Sequence, residues 1–324
     1  MQNIFNILED RQFNILTVCA HERWASGLSD VNANFYLYKK SPHIKTWNED
    51  FAPLPKNYYL LPEQYFPEGI IFDFVLSQHK FGCFQELAPM ARKNKLPLLS
   101  IEHTLPMNWP KNHFNQIKAM RGDINIFIGD KQAKEWGEPT PYLIRHCVDT
   151  DMFYPQEKRN NHILTVVNDY PGRGDILGFK QYLDVTKDLP VFPVGDSPGF
   201  SKAAQNIDEL SNFYRSSRIF LNTSIRSPIP CVLLEALSSG CACVSTNNCE
   251  IPYYIEHGVN GLLANSDQEM RKYLETLLKD EDLAMFLGAN ARKTILEKCS
   301  KKDYTTKWDN LFNKLRKKQL RNEN

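Results

Sequence analysis

The sequence predicts an α/β protein built from two doubly wound domains, and three observations carry that expectation. A chain of 324 residues is long enough to bury two separate cores. Short apolar runs, each followed by a polar loop and then a helical pattern, recur along both halves, as expected for parallel sheets covered by helices. A proline-closed turn at Pro155 and the polar run Gln156 to Asn161 interrupt this pattern near its middle. The change of domain is therefore placed at about 150–160, with 1–150 as the first domain, 151–300 as the second and 301–324 as a final helix.

In the first half, Phe13 to Cys19 reads as a strand, and the polar loop Ala20 to Gly27 follows it. Ligands of open α/β sheets sit at strand carboxyl ends, so His21, Glu22 and Arg23 become candidates for a ligand site. A surface ion pair is the alternative for Arg23. Ile70 to Leu76 is a second strand, ending at Ser77-Gln78-His79, and a helix runs from about Phe84 to Asn94. Leu96 to Ile101 is a strand that ends in Glu102-His103-Thr104. Ile124 to Gly129 is a strand, and Asp130 to Trp136 begins a helix.

The second half restarts the same order. Ile163 to Val167 is a strand, followed by the loop Asn168 to Asp175 and a helix through Lys180. Leu189 to Val194 is a strand that ends at Gly195-Asp196-Ser197-Pro198-Gly199. Asp208 to Ser216 is a helix, and Arg218 to Thr223 is a strand. Pro228 and Pro230 suit the first turn of the next helix, and Gly240 suits the left-handed position after its end. Cys241 to Ser245 follows as a buried strand. Gln268–Lys279 and Glu281–Lys298 are helical, and so is the charged tail from Lys301. In the tail, Trp308, Leu311, Phe312 and Leu315 recur at helical spacing as a packing stripe. The basic end, Lys314 to Arg321, reads as a solvated helix end, with contact to phosphate or membrane as the alternative.

The helix that Pro228 and Pro230 open carries the chemistry. Its amino end offers N–H groups and partial positive charge to an anion. Ser227, Pro230, Cys231 and Val232 lie at that end, and Glu235 stands close enough to accept hydrogen bonds from hydroxyls of the same ligand. Phosphate at the helix end and a diol at the carboxylate together describe a sugar nucleotide. Arg173 lies between two glycines and can fork onto two phosphate oxygens. Gly174 and Lys180 follow it, Lys180 equally well read as a solvated helix lysine. The Gly195-Asp196 loop follows a strand of the second half and is a further candidate for ligand contact.

The bulk numbers exclude several classes. Net charge is +1, which advertises neither nucleic acid nor anionic membrane. No apolar run approaches the roughly 18 residues of a membrane span. Met1 to Asn6 lacks the basic start and apolar stretch of a secretion signal, so a cytoplasmic protein is expected. The eight cysteines do not pair at metal-type spacing and read as reduced, buried thiols.

Glu235-Ala-Leu-Ser-Ser-Gly240 resembles the second half of the signature of the retaining glycosyltransferases of family 4, the glycosyl transferases group 1, which have the GT-B fold. That signature holds a first glutamate eight places earlier, where this chain has Ser227. Leu143 to Pro155 resembles the family's interdomain segment, with Cys147 in place of a glycine. His79 and His103 match two strand-end histidines, and Glu250-Ile-Pro252 and Glu256 to Leu263 match a loop and a hairpin-like turn. The resemblance implies two Rossmann-like domains facing a cleft, with the last helix crossing back to the first domain. It implies that Glu235 holds the ribose, that Ser227 stands where the donor sugar is contacted, that the Gly195-Asp196 loop holds the nucleobase, that the loop with His21, Glu22 and Arg23 approaches the diphosphate and acceptor, and that His103 and Arg173 serve the reaction centre.

The implied activity is a retaining, metal-independent transfer of a sugar from a nucleotide sugar, UDP- or GDP-linked, to a hydroxyl acceptor. No cofactor is implied, and the acceptor is a surface glycan or lipid-linked saccharide, at the inner membrane surface if the protein is peripheral. Two alternatives stay open. One is transfer to hydroxylated DNA bases, for which Arg92 to Lys95 and Lys111 to Arg121 would supply a basic groove. The other is a sugar-nucleotide binding protein without catalysis, which Ser227 and the glycine-poor first loop motivate.

Overall fold

The computed structural model describes residues 11–39 and 47–322, so the reading of Met1 to Asn6 lies outside the described residues. The chain divides into two units. The first comprises Met1–Arg145 together with Lys302–Asn324, and the second comprises His146–Lys301. Each unit is a parallel sheet flanked by helices.

The first sheet contains β1 (Phe13–Thr17), β2 (Ala33–Lys39), β3 (Tyr58–Glu63), β4 (Phe74–Ser77), β5 (Leu98–Glu102), β6 (Ile124–Phe127) and β7 (Tyr142–Leu143). Their order is β3-β2-β1-β4-β5-β6-β7. β4 and β5 are buried along their whole length, as near-continuous apolar runs covered on both faces should be. The helices are α1 (Glu22–Ser26), α2 (Gln85–Lys93), α3 (Lys111–Lys118) and α4 (Asp130–Glu135). Strands β2 and β3 were not expected from the sequence. β2 alternates, with Ala33, Phe35 and Leu37 buried, whereas β3 is an edge strand that exposes Tyr59 and Leu60 and tolerates Pro62.

Helix α12 (Lys301–Asn322) supplies its apolar stripe to the first unit. Trp308, Leu311 and Phe312 are fully buried there. The Phe312 ring lies 5.5 Å from Phe13 and 5.6 Å from Phe74. Leu315 is only half-buried, and Arg316 takes the next buried place instead. Its guanidinium lies 3.6 Å from the centre of the Phe13 ring, pairs with Asp73 at 3.4 Å and donates to the Arg11 carbonyl at 2.9 Å.

The second sheet contains β8 (Asn160–Val166), β9 (Val191–Val194), β10 (Ser217–Asn222), β11 (Ala242–Thr246) and β12 (Leu262–Ala264) in the order β12-β11-β10-β8-β9. Its helices are α5 (Gly174–Leu177), α6 (Phe179–Thr186), α7 (Ile207–Ser216), α8 (Cys231–Ser238), α9 (Ile251–Tyr254), α10 (Asp267–Lys279) and α11 (Glu281–Lys298). Three sequence expectations change here. α8 starts at Cys231 with Pro230 as its extended N-cap, so Pro228 and Pro230 precede the helix rather than form its first turn. Gly240 does adopt the left-handed conformation, with φ of 69°. The helix expected through Lys180 is broken at Gly178, which puts Lys180 in the first turn of a separate helix, α6. The turn near Gly258 leads into β12, a parallel edge strand on β11, rather than a hairpin.

All eight cysteines are thiols rather than disulfides, but only Cys241, Cys243 and Cys299 are buried, the other five being partly exposed. Burial pushes the Cys147 and Cys241 thiols up to about 12. Among the described residues no helix is long and apolar enough to cross a membrane.

Candidate functional site

The topology of each sheet fixes where a ligand crevice forms. In the second unit β8 neighbours β9 on one side and β10 on the other, so the switch point lies between the carboxyl ends of β8 and β10. The loops that leave these ends carry Asn168 to Arg173 and Thr223 to Pro230. They are fastened together by backbone: Ile225 and Arg226 N–H groups both donate to the Ile176 carbonyl, at 2.8 and 3.0 Å. Thr223 Oγ1 donates to the Leu177 carbonyl at 2.8 Å, and the Tyr170 hydroxyl bonds to the same threonine. Gly178 makes the approach possible. Its φ is 73°, and a Cβ there would lie 2.3 Å from the Thr223 carbonyl oxygen.

The loop after β9 joins the same edge. The Asp196 N–H donates to Asn168 Oδ1 at 2.9 Å, and Asp169 N–H donates to the Asp196 carbonyl at 2.7 Å. Gly195, at φ of 131°, has no room for a Cβ, which would sit 2.0 Å from the Val167 carbonyl oxygen. The loop after β11 closes the group, with Asn248 Nδ2 donating to the Ser224 and Ile225 carbonyls at 2.7 and 3.1 Å.

Arg173, Gly174, Gly195, Asp196, Ser227, Pro230, Cys231 and Val232 thus belong to loops and helix starts at one edge of one sheet. Arg173 is exposed and is the residue before α5; Ser227, Cys231 and Val232 are half-buried. Glu235, on the second turn of α8, is only 5% exposed. A carboxylate held this far from water is retained at a cost unless strong donors meet it. The first backbone bonds of α8 are donated by the Leu233 and Leu234 N–H groups to the Pro230 carbonyl, at 3.1 and 3.4 Å, so the Cys231 and Val232 N–H groups precede the helical ladder. Lys180 is exposed on α6. The sequence reading passed over Glu250 as a site residue. It is buried, and its N–H donates to the Pro228 carbonyl at 3.0 Å, which places a second carboxylate-bearing residue beside the Ser227 turn.

In the first unit the switch point lies between β1 and β4. Gln78, fully buried at the end of β4, bridges the two: its Nε2 donates to Thr17 Oγ1 and its Oε1 accepts from Ala20 N–H, each at 3.3 Å. His21 caps α1, accepting the Trp24 N–H on Nδ1 at 3.3 Å. Glu22 accepts the Asn48 N–H at 3.2 Å, and Arg23 is half-buried. His79 likewise accepts the Phe81 N–H on Nδ1 at 2.9 Å, at the head of the kinked turn Lys80–Phe84, in which Gly82 takes φ of 79°.

His103 follows β5, half-buried, with its ring edge-on to Trp24 at 4.8 Å. Its neighbours are tightly held. Glu102 Oε1 accepts from the Thr104 N–H at 2.8 Å and from Thr104 Oγ1 at 2.7 Å. Gln132 donates to the Glu102 and Thr104 carbonyls at 2.9 and 3.0 Å, and Trp136 Nε1 donates to the Thr104 carbonyl at 2.9 Å. The sequence reading has Glu102 only as a carboxylate beside His103; the pairing with Thr104, two residues on, was the signal for its anchoring role. Among the described residues no three His, Cys, Asp or Glu side chains group as metal ligands.

Residues 201–294 match the family model described as Glycosyl transferases group 1. The likeness to this group is carried by that segment, under a third of the chain. The matched segment contains the loop after β10, all of α8 and Glu250. A stretch of 147 residues is 26% identical to N-acetyl-alpha-D-glucosaminyl L-malate synthase of Bacillus anthracis; it covers 39% of this chain and 37% of that protein's length. Among solved structures, sucrose-phosphate synthase from Thermosynechococcus elongatus is similar with a TM-score of 0.72 at 12% identity, over 94% of this chain and 99% of that one. Anabaena HepE in complex with UDP is similar with a TM-score of 0.70, also at 12% identity, over 93% and 99%. These likenesses show the fold, two Rossmann-like α/β domains of the GT-B type.

Proposed function

We propose that the chain transfers a sugar from a nucleotide sugar to a hydroxyl acceptor, with retention and without a metal. The observation that carries this reading is the meeting of three loops at one sheet edge beside the buried Glu235. Those loops supply what the donor needs: Arg173 for phosphate, a glycine turn at Gly195 for close approach of the base, and the open end of α8 for the diphosphate. Glu235 accepts the ribose hydroxyls. Ser227, Gly174 and Lys180 complete the donor contacts, and His103 serves the donor sugar.

In the proposed step the bond from the anomeric carbon to the diphosphate breaks, and the acceptor oxygen bonds to the same face of that carbon. The acceptor proton passes to the departing phosphate oxygen. No protein nucleophile is needed. Arg173 and the α8 amides stabilise the charge that grows on the leaving group, the term that dominates catalysis of this kind.

The nucleotide is UDP or GDP. HepE, a structure of similar fold, has been solved with UDP and glucose, which favours UDP. The curated relative's name describes a glucosaminyl group joined to malate, a small hydroxyl acceptor. For this chain a surface glycan or lipid-linked saccharide is proposed, with a cytoplasmic location. Melting curves against UDP-, GDP- and ADP-sugars test the donor, since a ligand that binds only the folded state raises the midpoint by mass action. Release of nucleoside diphosphate from the stabilising donor then tests turnover. A flat response to every nucleotide sugar would remove the reading.

A further inference from the structure

We propose that the first unit carries a second binding site, for an anionic phospholipid, at the opposite end of its sheet from the strand-end histidines. A groove of about 520 Å³ opens there. Leu98 and Ile124 in its floor are the first residues of β5 and β6, whereas His103 follows the last residue of β5. One wall is the last turns of α2, and the other is α12 at Leu315 and Lys318.

The lining has two chemistries. Ala88, Ala91, Leu96, Pro97 and Leu315 make it apolar along its length. Arg92, Lys95, Arg121 and Lys318 surround that strip with positive charge. Arg121 is partly answered by Glu138 at 2.5 Å, but Arg92, Lys95 and Lys318 are exposed. Asp123 is the one carboxylate among the described lining residues, and it is occupied, accepting the Leu98 N–H at 2.8 Å. An apolar strip rimmed by cations suits an acyl chain beneath a phosphate head group, to which Arg92 presents a planar fork. Among the described lining residues there is no aromatic ring, so they offer a single-stranded nucleic acid no stacking platform.

Two further observations mark the groove as built. Lys95 follows the end of α2 with φ of 54°, in the left-handed position that glycine usually fills. The lysine adds to the rim of the groove a charge that glycine would not supply. Arg316, buried against Phe13 and Asp73, fixes α12 two residues before Lys318.

Flotation with vesicles of phosphatidylcholine, with and without phosphatidylglycerol, tests the proposal on the full chain. Binding to the anionic vesicles alone is expected. Arg92→Glu combined with Lys318→Glu should weaken it at least about tenfold, each basic residue near an anionic surface being worth a several-fold effect. Lys95→Gly should also weaken it while raising the melting temperature, so loss of binding there is not loss of fold. Lys272→Glu with Lys279→Glu, the same change of charge on exposed positions of α10 in the second unit, should leave it within about twofold. Equal loss in that control would overturn the proposal, as would absence of binding to phosphatidylglycerol vesicles. Soluble dihexanoyl phosphatidylglycerol should bind more tightly than glycerol phosphate. Equal affinity of the two, or tighter binding of a single-stranded DNA oligomer, would show that the groove does not recognise a lipid.

Discussion

The His103 imidazole stands edge-on to the Trp24 indole, ring centres 4.8 Å apart and planes 68° apart. This contact joins the helix after β1 to the end of β5, across the intervening β4. Trp24 is buried, whereas His103 is half-buried. The two therefore separate stability from activity. Trp24→Ala should destabilise the first unit by about 3–5 kcal/mol, the usual cost of a large core truncation. His103→Ala should cost on the order of 1 kcal/mol or less in a urea melt and yet reduce transfer at least about a hundredfold. A His103→Ala protein that turns over normally would remove His103 from the reaction centre.

Glu235→Ala should weaken the nucleoside diphosphate while the fold survives. Two charge-assisted hydrogen bonds to the ribose are at stake, each worth about 1.5–3 kcal/mol. Loss of one raises the dissociation constant about tenfold or more. Calorimetry with the nucleoside diphosphate isolates the ribose, because that ligand carries no sugar. Ser227→Ala should shift the preference among donor sugars more than it shifts this affinity.

Gly178→Ala should be destabilising on two counts, a positive φ and a Cβ 2.3 Å from the Thr223 carbonyl oxygen. A loss of about 1–3 kcal/mol is expected in chemical denaturation. The loops after β8 and β10 meet at this point, so donor affinity should fall as well. A variant as stable as the parent would show that the two loops are not held by this contact.

Chelation should leave transfer intact, because the proposed diphosphate contacts are Arg173 and helix amides. The assay is turnover before and after prolonged EDTA treatment, with magnesium or manganese restored afterwards. Loss that is reversed by either ion would place a cation in the step.

His162 makes the second unit sensitive to mild acid. Its Nε2 lies 2.9 Å from Ser217 Oγ, which itself donates to the Phe213 carbonyl at 2.7 Å. Burial pushes the imidazole below its ordinary value of 6.5. The folded state thus binds a proton less readily than the unfolded chain. The stability this contributes is present above pH 6.5 and is lost as pH falls through the lowered folded value. The urea midpoint should drop between neutral pH and mild acid, and His162→Gln should flatten that part of the drop.

The sequence by itself determined the two-fold α/β order, the helix around Glu235 and the identity of the loops that follow β8, β9 and β10. These are local matters: apolar run length, proline and glycine punctuation, and a signature contained in fourteen residues from Ser227 to Gly240. The same local logic passed over β2 and β3, because an alternating strand and an exposed edge strand lack the long apolar run that marks β4 and β5. Only the tertiary structure decided that Pro230 precedes α8, that Gly178 separates Lys180 from α5, and that Arg316 rather than Leu315 enters the buried face of α12. It also decided which strands are neighbours, and so which loops meet. Strand order is a long-range property: β8 lies between β9 and β10 through pairings that no stretch of sequence contains, and the loops that carry Arg173, Gly195 and Ser227 come to one sheet edge only once those pairings are made.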